Sequence, residues 1–271
     1  MTGNKKIALV GNHGTASQKI LTELRERLQV ETGFEFDDEK PELVISVGGD
    51  GTLLKAMHQY ESQLAQLRFV GVHTGHLGFY TDFLASELSE LMEALKFEEP
   101  KQAVHYPLLR VCAQFEDGKE LVHYALNEST IRRQSRTLVA DVKIADELFE
   151  KFRGDGLSVS TPTGSTAYNK SIGGAVMHPQ VEALQLTEVA SLNNIVYRTL
   201  GASMIIAKKD AIRICPEEAD DYSLTVDQLE YEYKSVSSVE YQLDGTTIAF
   251  ANCRHTPFWE RVRNSFIGDI K

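Results

Sequence analysis

The chain has 271 residues, 42% of them hydrophobic and 25% charged, which is enough for one large domain or two modest ones with separate cores. Its formal net charge of -11 argues against loose electrostatic binding to duplex nucleic acid or to an anionic membrane, since both need a basic surface. A small anionic ligand in a local site remains compatible with that charge.

Cys112, Cys215 and Cys253 stand far apart with no CxxC pair, the pattern of reduced thiols rather than of a disulfide framework or a zinc site. The opening "MTGNKKIALVGN" reads as a first strand and not as a signal peptide. No run approaches the roughly 20 apolar residues of a membrane span, so a cytosolic protein is expected.

From Ile7 to Lys96 short apolar runs alternate with helical periodicity. "IALV" is followed by Ile20, Leu24 and Leu28, "LVISV" by "TLLKAMHQY", and "RFVGV" by Leu88, Leu91, Met92 and Leu95. Continuous apolar strands separated by amphipathic helices predict parallel strands buried on both faces. After "FEEPKQ" the rhythm changes. "VHYPLLRVCAQF", "LVHYAL", "LVADVKI", "LSVS", "AIRIC", "YSLTV" and "VEYQLDGTTIAF" are strand-like, and "LDGT" signals a hairpin. One helix is predicted within this half, at about Pro179 to Ser191. "PFWERVRNSFI" then returns to helical spacing with Phe258, Val262 and Phe266 on one face, which predicts a last helix packing back on the first domain. The expected organisation is an N-terminal parallel-sheet α/β domain over residues 1–100, a β-sandwich-like domain over 101–252, and a returning segment over 253–271.

Two loops carry the chemistry. In "VISVGGDGTLL" the residues Gly48 to Gly51 join a strand to a helix, where helix N-termini in open α/β sheets receive anionic ligands. Glycines there let amides approach phosphate oxygens. Asp50 would repel a phosphate. Its carboxylate suits taking a proton from an attacking hydroxyl, helping to hold a divalent cation, or capping the helix. The spacing fits neither Walker A nor GxGxxG. The second loop, Phe152 to Pro179, carries Thr161, Thr163, Ser165, Thr166, Asn169, Lys170 and Ser171 among glycines, together with Tyr168. Hydroxyls, an amide and a cation at that density suit a polar dinucleotide. Upstream, Asn127 and Glu128 end an apolar run, where they would either bracket a ribose diol or form a simple turn. Arg153 and Asp155 in "FRGDG" read equally as a binding pair or a surface ion pair. Arg132, Arg133 and Arg136 form a basic cluster, either solvated or near nucleotide phosphates. His73 and His76, three apart around Gly75, make a poor zinc pair.

Taken together, "GGDGT" (48–52), "HTGHLGF" (73–79), "NE" (127–128), "RGDG" (153–156) and "TPTGSTAYNKSIGG" (161–174) resemble the bacterial NAD kinases in identity and order. "GGDGT" alone specifies only a superfamily shared with lipid kinases. A lipid kinase would need an apolar acyl channel, which the polar second loop opposes, and an NAD-binding sensor without activity is disfavoured by the intact Asp50. The resemblance implies transfer of the ATP γ-phosphoryl group to the 2′-hydroxyl of the adenosine ribose of NAD, giving NADP at a site between the two domains. It implies Asp50 as proton acceptor, Gly49 and Gly51 against phosphate, and Phe79 flanking adenine. Asn127 and Glu128 would hold a ribose, and Thr163, Thr166, Ala167, Tyr168, Asn169, Lys170 and Ser171 would line the dinucleotide. Arg153, Asp155 and Ala190 match positions that often act across a subunit contact, and Gln228 follows Asp227 where relatives often carry Gly or His. A magnesium ion is expected to arrive with ATP, because "GGDG" offers too few ligands for a preformed cage. No residue here reads a donor base, which leaves other nucleoside triphosphates or polyphosphate open as donors. The family tends toward homodimers and homotetramers.

Overall fold

In the first half, burial on both faces makes the apolar runs the interior strands of a parallel sheet. In the computed structural model, which describes residues 4–75, 78–133, 136–217, 221–254 and 256–268, the strand Leu43–Gly48 is buried at every position. The sheet order is Phe34–Phe36, Lys5–Gly11, Leu43–Gly48, Arg68–His73, Thr247–Phe250, Val104–Pro107, with Phe83–Leu84 also pairing Arg68–His73. Pairings among the first five strands are parallel. Helices Thr15–Val30, Asp50–Gln59 and Leu88–Phe97 supply the intervening amphipathic patterns. Leu24, Leu28, Leu91 and Leu95 close a core with Ile7, Ile45, Val47 and Val72.

The chain divides into two compact units, residues 1–105 with 247–271, and residues 106–246. The second unit contains two antiparallel six-stranded sheets. One runs Glu147–Gly154, Leu138–Ile144, Ile212–Pro216, Val236–Gln242, Leu109–Phe115, Glu120–Ala125. The other runs Met204–Ala207, Ala183–Val189, Gly156–Ser160, Glu128–Arg133, Asp221–Val226, Leu229–Lys234. Their inner faces share one core, with Val111, Ala140 and Ile214 from the first sheet and Ile131, Val159 and Leu186 from the second. This is the expected α/β plus sandwich-like architecture.

Two local expectations fail. The stretch expected as a helix contains the strand Ala183–Val189, which pairs Gly156–Ser160 on one side and Met204–Ala207 on the other. All five residues from Ala183 to Thr187 are buried, so burial in an interior strand overrides the helical propensity of Glu, Ala, Leu and Gln. The "LDGT" turn joins no hairpin. Val236–Gln242 lies in the antiparallel sheet with Leu109–Phe115, whereas Thr247–Phe250 lies in the parallel sheet beside Arg68–His73. The Asp244 carboxylate accepts the Thr246 amide, and the turn serves to leave one unit for the other. The hairpin turn of this chemistry is Asp117-Gly118, between Leu109–Phe115 and Glu120–Ala125, with Gly118 at φ 82°.

The last helix, Phe258–Phe266, belongs to the first unit as expected, but its buried residue is not one of the apolar three. Arg261 is the one inside, and Phe266 is exposed.

Candidate functional site

In the first unit Gly49 is the N-cap of the helix Asp50–Gln59, which follows directly from the buried strand Leu43–Gly48. Asp50 is therefore the first helical residue. Its side chain does not cap that helix. The Phe79 amide donates to Asp50 Oδ2 at 2.9 Å and the Tyr80 amide to Oδ1 at 2.9 Å. Each oxygen keeps a second lone-pair direction for another hydrogen bond. Beside it, space over the exposed Gly51 is open, with nothing beyond the adjoining chain within 4 Å of where a Cβ would stand.

The loop that supplies those amides is itself tied down. Gly78 N–H donates to Thr81 Oγ1 at 2.9 Å, and the Phe79 ring lies 6.5 Å from Phe258 and 5.7 Å from Phe266, centroid to centroid. Glycine at position 78 lets the loop come this close, because a Cβ there would meet the Asp50 carboxylate and displace it. Within this unit the structure thus brings Gly49, Asp50, Gly51 and Phe79 together. His73 Nδ1 accepts the Gly75 amide at 2.8 Å, and His76 lies outside the described residues.

In the second unit the strand Glu128–Arg133 begins at the ribose-binding pair expected from sequence. The Asp227 carboxylate accepts the Leu126 amide at 3.0 Å and the Asn127 amide at 2.7 Å, and the Asp227 amide donates to the Glu128 carbonyl at 2.9 Å. Asp227 sits at φ 52°, a left-handed conformation that aspartate tolerates and that turns its side chain back onto the chain. Burial first, and then the charge of Asp227, push the Glu128 carboxyl up to about 8, against the amides of Tyr168 and Asn169, which favour the ionised form. Glu128 Oε2 is buried without a hydrogen-bond partner.

Over this pair lies the glycine-and-hydroxyl loop, as a 3₁₀ turn Thr163–Thr166 followed by one helical turn Tyr168–Ser171. A Cβ on Gly164 would collide with the Asn127 carbonyl, so only glycine lets the loop sit so close. Much of the loop's polarity is used internally. Thr163 Oγ1 donates to the Leu126 carbonyl at 3.1 Å, Thr166 Oγ1 to the Thr163 carbonyl at 3.1 Å, and Asn169 Oδ1 accepts the Thr187 hydroxyl at 2.8 Å. Ala167 and Tyr168 are half-buried, and Lys170 and Ser171 are exposed.

A cavity of about 330 Å³ is lined by Glu128, Thr130, Arg132, Tyr168, Thr225 and Asp227. A second, of about 620 Å³, shares Arg132, Ser223 and Glu230 with it and adds Arg133, Arg136 and Asp155. The arginine cluster therefore lines a cavity, and Arg132 donates to the Tyr168 hydroxyl. Ala190 lines a separate hollow of about 330 Å³ with Glu188 and Ser203. Arg153 lies 4.2 Å over the Tyr197 ring, and Gln228 is exposed on the turn after Asp227. Sequence reasoning missed Asp227 as the residue that shapes the Asn127–Glu128 turn, and Arg261 altogether. The first carries a signal in its place at a turn between two strands, while the second sits within an ordinary amphipathic pattern.

Among the described residues no group of three or more His, Cys, Asp or Glu side chains could hold a metal, and no helix is long and apolar enough to cross a membrane.

Residues 8–99 match the family model for the ATP-NAD kinase N-terminal domain, and residues 126–250 match that for the ATP-NAD kinase C-terminal domain. The chain is 64% identical over 271 residues to an NAD kinase of Lactococcus lactis subsp. cremoris, covering 100% of both chains. It is 52% identical to an NAD kinase of Streptococcus pneumoniae over 98% of this chain and 97% of that one. Among solved structures, the yeast NADH kinase complexed with NADH superposes with a TM-score of 0.82 at 19% identity, covering 99% of this chain and 89% of that one. An NAD kinase from Archaeoglobus fulgidus in complex with ATP gives 0.70 at 23% identity, covering 96% and 97%. These two carry the fold.

Proposed function

The chain belongs to the NAD kinase family, and on that premise we propose how its own residues divide the work of moving the ATP γ-phosphoryl group to the 2′-hydroxyl of the adenosine ribose of NAD. The reaction makes NADP and so sets the balance between NAD and NADP.

Asp50 is the proton acceptor. The observation that carries this is its carboxylate, fixed at a helix N-terminus by two amides while each oxygen keeps an accepting direction. A carboxylate placed for helix capping would turn onto its own helix, and this one does not. In the transfer the 2′-hydroxyl gives its proton to Asp50 and its oxygen bonds the γ-phosphorus. The bond from that phosphorus to the β,γ-bridging oxygen breaks, and ADP leaves. Gly49 and Gly51 offer close backbone approach to phosphate, and the Asp50–Gln59 helix dipole favours negative charge there.

Asn127 and Glu128 hold a ribose. A carboxyl raised to about 8 is largely protonated at neutral pH, so Glu128 can donate to a hydroxyl as well as accept from one. Tyr168, Ala167, Lys170 and Ser171 present the accessible edge of the loop to the dinucleotide. Thr163, Thr166 and Asn169, whose side chains are used internally, shape it. Phe79 offers its ring to adenine. Arg153, Asp155, Ala190 and Gln228 complete the binding surface in this reading.

Magnesium enters as part of the substrate, bound to the ATP phosphates. The residues fit that arrangement, since Asp50 is the lone carboxylate in the stretch Gly48–Thr52 and one carboxylate is too few for a preformed cage. The working form is a homo-oligomer, a dimer or tetramer, supported by the exposed apolar run Leu192, Ile195, Val196 and Leu200. The cytoplasm fits its three free thiols.

The test is to incubate the protein with ATP, magnesium and NAD and to follow NADP with an NADP-specific dehydrogenase, alongside Asp50→Asn. Loss of turnover by roughly 10²- to 10⁴-fold with NAD binding retained is expected for removal of a general base. Unchanged turnover in the variant would sink the assignment of Asp50.

A further inference from the structure

The carboxylate of Asp50 is held by two amides, and those amides are held from behind by a cation on the last helix. Arg261 is 6% exposed, and its Nη1 donates to the Gly78 carbonyl at 3.0 Å and to the Thr81 carbonyl at 2.9 Å. Nη2 pairs with Asp82 Oδ1, and Nε donates to the Thr256 carbonyl at 3.1 Å. The Gly78 carbonyl and the Phe79 N–H are the two ends of one planar peptide group. Arg261 therefore grips one end of the peptide whose other end donates to Asp50 Oδ2 at 2.9 Å.

Resting on the reading of Asp50 as proton acceptor, we propose that Arg261 is a positioning residue for phosphoryl transfer, acting on Asp50 through the Gly78–Phe79 peptide.

Three physical arguments carry this. A cation on the carbonyl oxygen polarises the peptide and strengthens the donor at its far end, because hydrogen bonds in a chain reinforce one another. The Tyr80–Thr81 end of the loop is packed, with Tyr80 stacked on Phe250 and Thr81 fully buried, so what Arg261 helps to set is the angle of the Gly78–Phe79 peptide before it. The Gly78–Thr81 side-chain bond closes the loop on itself, and the Phe79 ring meets two phenylalanines of which Phe266 is exposed. The third is the shape of the donor set. Three carbonyls and a carboxylate around one side chain match the planar fork of a guanidinium, whereas an ammonium offers three donors from a single point. A merely structural reading would treat Arg261 as the buried partner of Asp82. That reading explains the contact with Asp82 and leaves the two loop carbonyls as coincidence.

The experiment is a double-mutant cycle on the full chain with ATP, magnesium and NAD. Arg261→Lys is expected to lower kcat by roughly 10- to 100-fold, the scale of a displaced catalytic group, with KM for NAD and for ATP within about threefold. Placed in the Asp50→Asn background, the same change is expected to lower the residual rate by less than about twofold, because its route of action is already gone. Arg254→Lys is the control. Arg254 donates to the Asp82 carbonyl and to Glu87, on the same segment but not on the peptide that holds Asp50, and its change is expected to leave kcat within about twofold. Equal losses from Arg261→Lys in both backgrounds would overturn the proposal, as would a rise in KM with kcat unchanged. If Arg261→Lys does not fold, Arg261→Gln, which keeps an uncharged donor toward Gly78, is put through the same cycle with the same criteria. An Asp50→Asn enzyme that turns over normally is a separate failure, that of the Asp50 assignment itself.

Discussion

Asp227, on the turn between Asp221–Val226 and Leu229–Lys234, is tied to the chain at Glu128: its amide donates to the Glu128 carbonyl at 2.9 Å while its carboxylate holds the two amides just before Glu128. This brings a second negative charge to a buried carboxyl, which burial and then Asp227 raise from 4.5 to about 8. The sign follows directly. The folded state keeps a proton that the unfolded chain releases above about 4.5, so this group's contribution to stability is complete below that pH and is lost as pH rises toward 8. Glu128→Gln is expected to flatten the fall in unfolding free energy between pH 5 and 8, by at most about 1.4 kcal/mol per pH unit. Urea unfolding at three pH values in that window measures it, and parallel slopes in both proteins would show that Glu128 ionises normally.

Glu98 behaves with the opposite sign. Its side chain is 0% exposed, with Lys5 Nζ at 2.7 Å from Oε2 and Arg68 Nε at 2.5 Å from Oε1. Burial pulls the carboxyl upward, but the hydrogen bonds and charges of Arg68 and Lys5 outweigh it and hold the group below its ordinary value. Its stabilisation is therefore present above the usual carboxylate pKa and is lost as pH falls through the lowered one. Glu98→Gln leaves two cations without their anion between the first strand, the Arg68–His73 strand and the end of the Leu88–Phe97 helix. A loss of about 3–5 kcal/mol is expected by denaturant unfolding at pH 7, and a loss under about 1 kcal/mol would show the triad to be dispensable.

Much of this was legible in the chain. "LVISV" and "RFVGV" are apolar at nearly every position because both faces of their sheet are covered, and the glycines of "GGDGT" mark the strand-to-helix turn where Asp50 sits. What local pattern could not give was pairing. Ala183–Val189 reads as a helix because nothing in its own residues records the two neighbouring strands that bury it. "LDGT" has hairpin chemistry, yet which sheet takes the next strand is decided by partners far along the chain. The candidate site followed the same division. Asp50 and Glu128 stand out in the sequence by their type and setting, whereas the proposed part of Arg261 rests on bonds to carbonyls 180 and 183 positions away, which no local pattern records. Similarly, "TPTGSTAYNKS" looked like uniformly ligand-facing polarity, and the structure gives Thr163, Thr166 and Asn169 partners within the protein.

Gly78→Ala separates catalysis from folding at the same loop. The added methyl would meet the Asp50 carboxylate, the far end of a side chain that can swing aside, and not a backbone atom that cannot. The fold is expected to survive with a modest loss of thermal stability. With Asp50 as the proposed proton acceptor, turnover is expected to fall by roughly 10- to 100-fold, since a displacement of about 1 Å at a reacting group costs on that order. Steady-state kinetics beside a thermal melt would decide it, and wild-type kcat in a folded variant would mean that the position of Asp50 tolerates the shift.

The last prediction concerns the exposed run after the strand Ala183–Val189. Ile195 is 92% exposed and Val196 77%, in a segment where Leu192 and Leu200 are exposed as well. Exposed apolar residues clustered in one stretch mark a surface that another chain covers, and a second copy is the partner the proposed homo-oligomer supplies. This segment is joined to Arg153, because the Leu192 amide donates to the Arg153 carbonyl at 2.7 Å and the guanidinium of Arg153 stacks on Tyr197. It begins at Ala190, held at φ 47°. A charge placed in a covered apolar contact must be desolvated without a partner, so Ile195→Asp is expected to shift the protein toward smaller species. If Arg153 and Ala190 act across that contact, KM for NAD should rise together with dissociation. Light scattering coupled to size exclusion, with NAD titrated over the same samples, tests both halves. A wild-type protein that runs as a monomer would remove the contact, and a dissociated variant with unchanged KM would confine the NAD site to one chain.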